Sequence, residues 1–141
     1  GDVYKRQDYA YAVTTANDGS VFVSGNTYGD LNNQTNAGVY DGFVIKYDSK
    51  GIREWTKLIG TSLEDAGFGV ATANDGSIYL IGYSRGDLYE LNNAGSNDLF
   101  VSKYTSNGTR VWTKLVGTGQ ESDCPLPASA ALWQLAEAAQ T

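Results

Sequence analysis

A block of 57 residues occurs twice in tandem, and this constrains the fold more than any other feature of the chain. Residues 8–64 align with residues 65–121 without a gap, and 30 of the 57 positions are identical. Ala16-Asn17-Asp18-Gly19-Ser20 returns as Ala73-Asn74-Asp75-Gly76-Ser77, and Trp55-Thr56-Lys57-Leu58 returns as Trp112-Thr113-Lys114-Leu115. So strict a period marks a repeat architecture, in which one supersecondary unit buries its apolar surface against a copy of itself.

Each unit carries four short runs rich in Val, Ile, Tyr, Phe and Thr, the signature of an all-β protein. The runs fall at residues 10–15, 21–25, 42–47 and 52–59, with copies at 67–72, 78–82, 99–104 and 109–116. Asp18-Gly19 and Asp75-Gly76 supply the positive φ that a tight hairpin needs. Residues 48–51 and 105–108 read as a second tight turn. A loop of about fifteen residues, rich in Asn, Gly, Asp and Thr, separates the second run from the third. These features predict a four-stranded antiparallel meander per unit, with no helix in the repeats.

Phe43, Ile45 and Tyr47 share one face of the third run while Val44 makes the other face apolar too, so the strand is buried on both sides. The first run alternates Tyr11, Val13 and Thr15 with Ala10, Ala12 and Thr14, and its copy has Gly67, Gly69 and Ala71 on the small side. A strand with one very small face fits a crowded inner position, such as the channel strand of a β-propeller blade. The fold expected is therefore two tandem four-stranded blades, a fragment of a larger propeller. A solenoid and a sandwich of two meanders are the competing folds, and sandwich halves seldom match at half their positions. Two blades cannot close a ring, so further blades are the expected partners.

Composition narrows the chemistry. Net charge is −6 with no run of Lys or Arg, which argues against a phosphate grip on nucleic acid. No apolar stretch approaches the length of a membrane span. Histidine is absent and Cys124 is the only cysteine, which removes zinc sites, disulfide scaffolds and Cys-His nucleophile chemistry. No cofactor is expected, although the long loops admit Ca²⁺ through Asp30, Asp41, Asp87 and Asp98, with Asn32, Asn33, Asn36, Asn92, Asn93 and Asn97 nearby. The loops lack an Asp-x-Asp-x-Asp-Gly core. No catalytic residues are assigned: charged groups that recur at the repeat spacing belong to the unit rather than to an asymmetric site.

The run Asp41-Gly42-Phe43-Val44-Ile45-Lys46-Tyr47-Asp48-Ser49-Lys50-Gly51, followed by Trp55 and by Leu58-Ile59-Gly60-Thr61, resembles the bacterial SBBP repeat, named for its β-propeller. Residues 17–25, and the loop from Gly29-Asp30-Leu31 to Asn36-Ala37-Gly38, share the resemblance. It covers residues 8 to about 121 and implies a secreted or surface-displayed bacterial protein with more blades and no general catalytic activity. Its expected role is scaffold, adhesion or ligand binding, with a glycan or protein ligand met by the long-loop face. The alternative is a blade pair from a propeller enzyme, quinoprotein-like or glycan-cleaving. Gly51-x-x-x-Trp55 and Gly108-x-x-x-Trp112 resemble the tryptophan-docking element of quinoprotein propellers. That resemblance makes Trp55, Trp112, Gly51 and Gly108 blade-packing residues, alongside the apolar Phe43, Phe100, Tyr47 and Tyr104.

Three further motifs have bland explanations. Arg85-Gly86-Asp87 spells an integrin-recognition tripeptide, but Gly-Asp recurs at Gly29-Asp30 and only Arg85 is added. Asn33-Gln34-Thr35 and Asn107-Gly108-Thr109 are formal glycosylation sequons. Residues 1–7 resemble a translated sequencing adapter and are set apart as a non-native leader. Residues 122–141 leave the repeat pattern and read as a short Ala-rich helix or as out-of-frame sequence.

Overall fold

The computed structural model describes residues 7–117 as two four-stranded antiparallel sheets. Most of the leader, the off-pattern tail and the last residues of the second unit lie outside the described residues. The first sheet holds β1 (Asp8–Thr15), β2 (Val21–Thr27), β3 (Asp41–Tyr47) and β4 (Arg53–Ile59). The second holds β5 (Asp65–Thr72), β6 (Ile78–Ser84), β7 (Asp98–Tyr104) and β8 (Arg110–Val116). In each sheet the strands lie in chain order, the up-and-down meander that the repeat predicts.

Turn chemistry sets where each strand ends. Gly19 at φ +86° and Gly76 at φ +84° occupy left-handed backbone that a residue with a Cβ adopts only at a cost. Ser20 N–H donates to Asp18 at 2.9 Å, and Ser77 N–H to Asp75 at 2.8 Å. Those bonds hold both carboxyls below the usual aspartate range.

The sheets stack through opposite faces. Phe22, Val44 and Ile59 of the first meet Val70, Ile78, Leu80, Phe100 and Tyr104 of the second in a single buried cluster. Trp55 packs at its edge and binds across to the second unit, where its Nε1–H donates to the carbonyl of Ser106 at 3.1 Å. Lys46 Nζ donates to the same carbonyl at 3.0 Å. Gly108 is buried beneath the indole: a Cβ built there would lie 3.0 Å from Trp55 Cδ2. The packing role assigned to Trp55 and Gly108 is thus a direct contact between units. Among the described residues Trp112 repeats the contact inside its own unit, 6.1 Å from Tyr79 as Trp55 is from Phe22.

Phe43, Phe100 and Tyr104 are buried as expected, but Tyr47 is half-buried. Its side of the first sheet has no neighbouring sheet among the described residues, whereas the equivalent side of the second sheet carries the interface. Helix is not wholly absent from the repeats. Leu88–Glu90 forms one 3₁₀ turn, with Tyr89 at φ 52° and Glu90 at φ 65°. The first loop has the same left-handed pair at Asn32 and Asn33. Asn adopts this backbone more readily than Tyr. In the second loop, burial of Leu88 and the Arg110 guanidinium, 3.8 Å over the Tyr89 ring, hold the turn in place.

Burial of one residue type at equivalent positions gives a matched test. Val13 is 66% exposed and Val70 is 1% exposed. Val70→Ala should cost about 2 kcal/mol, and Val13→Ala under about 0.5 kcal/mol. Urea unfolding at low protein concentration measures both, and equal losses would contradict the stacking of the two sheets.

Candidate functional site

The connections separate by end. The tight turns meet at one end, where Gly19 approaches Ser49 so closely that a Cβ would lie 2.9 Å from the Ser49 Cβ. The long loops and the inter-unit connector meet at the other, tied by the Asp65 N–H donating to the Tyr40 carbonyl at 2.9 Å.

Each long loop is braced by its own repeated residues. Asp30 accepts from the Asn36 N–H at 2.9 Å, and Asn36 Nδ2 donates to the Thr27 carbonyl at 3.0 Å. Asn36 Oδ1 accepts from the Gly38 N–H at 2.9 Å, and Asp41 accepts from the Ala37 N–H at 2.7 Å. The second unit repeats every bond: Asp87 with Asn93 at 2.8 Å, Asn93 with Ser84 at 2.9 Å and Gly95 at 2.9 Å, and Asp98 with Ala94 at 2.6 Å. Thr27 and Ser84 likewise donate to Asp8 and Asp65. The four aspartates singled out as Ca²⁺ candidates therefore cap loops. Asp41 and Asp98 are buried against Gly60 and Gly117, where a Cβ would sit 2.1 and 2.0 Å from the carboxylate. Among the described residues no three Asp, Glu, His or Cys side chains come together to hold a metal ion.

At the same end, six aromatic side chains form a closed circuit. Tyr9 lies 6.4 Å from Tyr11, Tyr11 5.4 Å from Phe68, and Phe68 5.3 Å from Tyr83. The Tyr83 and Tyr40 hydroxyls share a hydrogen bond. Tyr40 lies 4.9 Å from Tyr28, and Tyr28 6.2 Å from Tyr9. Tyr9, Tyr11 and Tyr28 are exposed, while the other three are half-buried. Tyr11 and Phe68 reach this patch because each is the extra residue of a β-bulge, between Ala10 and Ala12 and between Gly67 and Gly69. A bulge re-aims a side chain out of the ladder's alternation. The simple alternation read for the first strand therefore stops at Tyr11. Desolvation pushes the Tyr28 and Tyr83 hydroxyls above the usual tyrosine range, so both stay neutral at physiological pH.

Residue-by-residue repetition hid this cluster. Tyr9, Tyr28 and Tyr40 have Ala66, Arg85 and Asn97 as counterparts, and Tyr83 has Asn26. The signal that finds it is difference between the units rather than identity. A cleft of about 540 Å³ lies between the inter-unit connector and the second long loop, walled by residues 60–63 and by Arg85, Gly86 and Asp87. Arg85 is ion-paired with Glu64 and Asp87 caps its own loop, so the tripeptide is engaged within the fold.

The fold and this surface define a repeat protein of two equivalent all-β units with an unrepeated aromatic patch. No family model matches the chain. It is 30% identical over 124 residues to the regulatory protein FlaEY of Caulobacter vibrioides, a similarity that takes in 77% of this chain and 13% of that protein. The chain thus spans a small part of the relative's length. No helix among the described residues is long and apolar enough to cross a membrane.

The buried loop caps make stability depend on pH. Desolvation, aided by the nearby charge of Asp65, raises the Asp41 carboxyl from an ordinary value near 3.8 to about 6. Burial raises Asp65 as well. The folded chain holds both protons more tightly than the unfolded one; for Asp41 the stability this confers is complete below about pH 3.8 and is lost as pH rises through about 6. For Asp41 the difference is at most about 3 kcal/mol. Asp41→Asn retains an acceptor for Ala37 without a titrating charge. It should gain stability relative to the parent between pH 4 and 7, as read from urea unfolding at stepped pH. A constant difference across that range would refute the assignment.

Proposed function

We propose that residues 8–121 are two propeller blades of the SBBP type. They would act as a non-catalytic binding module in a longer, secreted or surface-displayed bacterial protein. The four-stranded meanders, the 57-residue period and the tryptophan contact between units support the blade reading. A 30% match confined to 13% of a much longer regulatory protein fits a module that is reused in larger chains.

The observation that carries a binding role is the aromatic circuit. Soluble domains seldom leave several large rings in contact at one exposed place without a partner. Loops on a rigid scaffold are where such partners bind. A tyrosine offers an apolar ring face and a hydroxyl tip, which suits a sugar ring with one C–H face and a rim of hydroxyls. The chain's net charge of −6 disfavours acidic polymers, so the ligand proposed is a neutral glycan.

Titration of neutral glucose and N-acetylglucosamine hexasaccharides, followed by intrinsic fluorescence and calorimetry, tests this. Binding should weaken at least about tenfold in Tyr11→Ala and in Tyr28→Ala, and should persist in Val13→Ala on the other side of β1. Silence across the panel, or binding indifferent to both tyrosine changes, would remove the glycan reading.

A further inference from the structure

The ladder between β5 and β6 runs one pair beyond the strands, where the Arg85 N–H donates to the Glu64 carbonyl at 3.1 Å. Asp65 pairs with Ser84 and Ala66 with Tyr83, so side chains alternate between the two sides at this end of the sheet. Asp65 and Ser84 bond to each other on one side. Glu64 and Arg85 meet as an ion pair on the other, the side that carries Tyr83. Tyr40 reaches the same place from the first unit: it forms a parallel bridge with Glu64, and its hydroxyl bonds to that of Tyr83. The ion pair thus adjoins the aromatic circuit at Tyr40 and Tyr83.

The first unit makes the same corner without charge. Its Tyr28 N–H donates to the Gln7 carbonyl at 3.1 Å, and these two residues are the counterparts of Arg85 and Glu64. The backbone bond therefore does not require the ion pair, and a surface ion pair adds little stability. Arg85 also stands between two clefts. One, of about 420 Å³, is bounded by Val39, Leu63, Glu64 and Ser96, and the other is the cleft of about 540 Å³ that runs to Ser62 and Asp87. Both volumes fall within the roughly 300–1,000 Å³ of small-ligand sites. Arg85 and Leu63 wall both clefts, which makes them one groove leading away from the aromatic circuit. Its walls come from the connector and the two long loops, none of them at an end of the described chain.

We propose that this groove is a second subsite for the neutral glycan held by the aromatic circuit, with Glu64 and Arg85 binding adjacent hydroxyls of one sugar ring. One hydroxyl donates to the Glu64 carboxylate, and its neighbour accepts from the Arg85 guanidinium. The ion pair engages Nη1 of Arg85, and a guanidinium carries five N–H donors in all. Hydrogen bonds to charged groups are the stronger ones, while the pair as a whole is neutral and so favours hydroxyls over a free anion or cation. This rests on the glycan reading and adds a direction to it: the sugar chain runs from Tyr28 and Tyr40 past Arg85 toward Asp87.

Calorimetric titration of disaccharides and hexasaccharides of glucose and N-acetylglucosamine into the parent, Arg85→Ala, Arg85→Tyr and Tyr11→Ala tests the subsite. Arg85→Tyr installs the residue that the first unit carries at this corner, so the fold already accommodates it there. The parent should bind the better hexasaccharide at least about tenfold more tightly than its disaccharide. Both Arg85 variants should lose that advantage while binding the disaccharide as the parent does, and Tyr11→Ala should weaken both lengths alike. Hexasaccharide binding that Tyr11→Ala weakens and neither Arg85 variant changes would leave the glycan reading standing and overturn the subsite. Equal loss of both lengths in the Arg85 variants would also overturn it, and a parent that binds neither length would remove the glycan reading and the subsite together.

Discussion

Each meander depends on the other to cover an apolar face. A four-stranded sheet with apolar residues on both faces has no solvent side, so it gains stability only by covering one face with something of matching shape. Here the match is supplied by repetition. Phe22, Val44 and Ile59 lie against Val70, Ile78, Leu80 and Phe100, and the indole of Trp55 reaches over the boundary to the turn at Gly108. That interaction fixes the offset of the second unit, and with it the placing of both long loops at one end. Burial there dominates the energetics: each fully covered Leu, Ile or Phe contributes about 1.5–3 kcal/mol. At the edge of that interface the buried Lys46 ion-pairs with the exposed Glu54 at 2.9 Å.

The aromatic circuit depends on the same stacking. Tyr11 belongs to the first unit and Phe68 to the second, and their rings meet at 5.4 Å only because β5 packs beside β1. Two bulges then turn the rings outward. The patch is a product of the pair of units, which neither could form by itself.

Strands, tight turns and the end at which the long loops gather were legible because they follow from local chemistry: period-two apolar runs, Asp-Gly turns, an even number of reversals. Trp55 and Gly108 were singled out as packing residues by the resemblance to the tryptophan-docking element, and they do meet; Gly51, singled out with them, is exposed with no described atom within 4 Å of its Cβ position. Strand ends ran longer than the apolar runs, as in β2, which continues through Asn26 and Thr27, because those residues pair with Gly42 and Asp41. Asp30, Asp41, Asp87 and Asp98 stand as Ca²⁺ candidates in the sequence because carboxylates in Asn-rich loops fit both metal binding and loop capping, and the backbone N–H groups that they cap are not visible there. The aromatic patch was not legible: its members are separated by up to 74 positions, from Tyr9 to Tyr83, and the bulge that aims Tyr11 leaves no mark in the alternation.

The loop bracing described above is closed within each unit, since Asp30, Asn36 and Asp41 bond only to backbone between Thr27 and Gly38. A duplicated unit therefore inherits the same braces, while the positions between them make their own contacts: Asn32 donates to Thr56 in the first loop, and Tyr89 lies under Arg110 in the second. The two copies show the result. The braces are identical, while the stretch from Asn32 to Thr35 has become Tyr89, Glu90, Leu91 and Asn92 without a change in loop length. Such a unit can be copied and the outer part of its loop can change without the scaffold being retuned, so that near-identical sheets present different side chains at the same place.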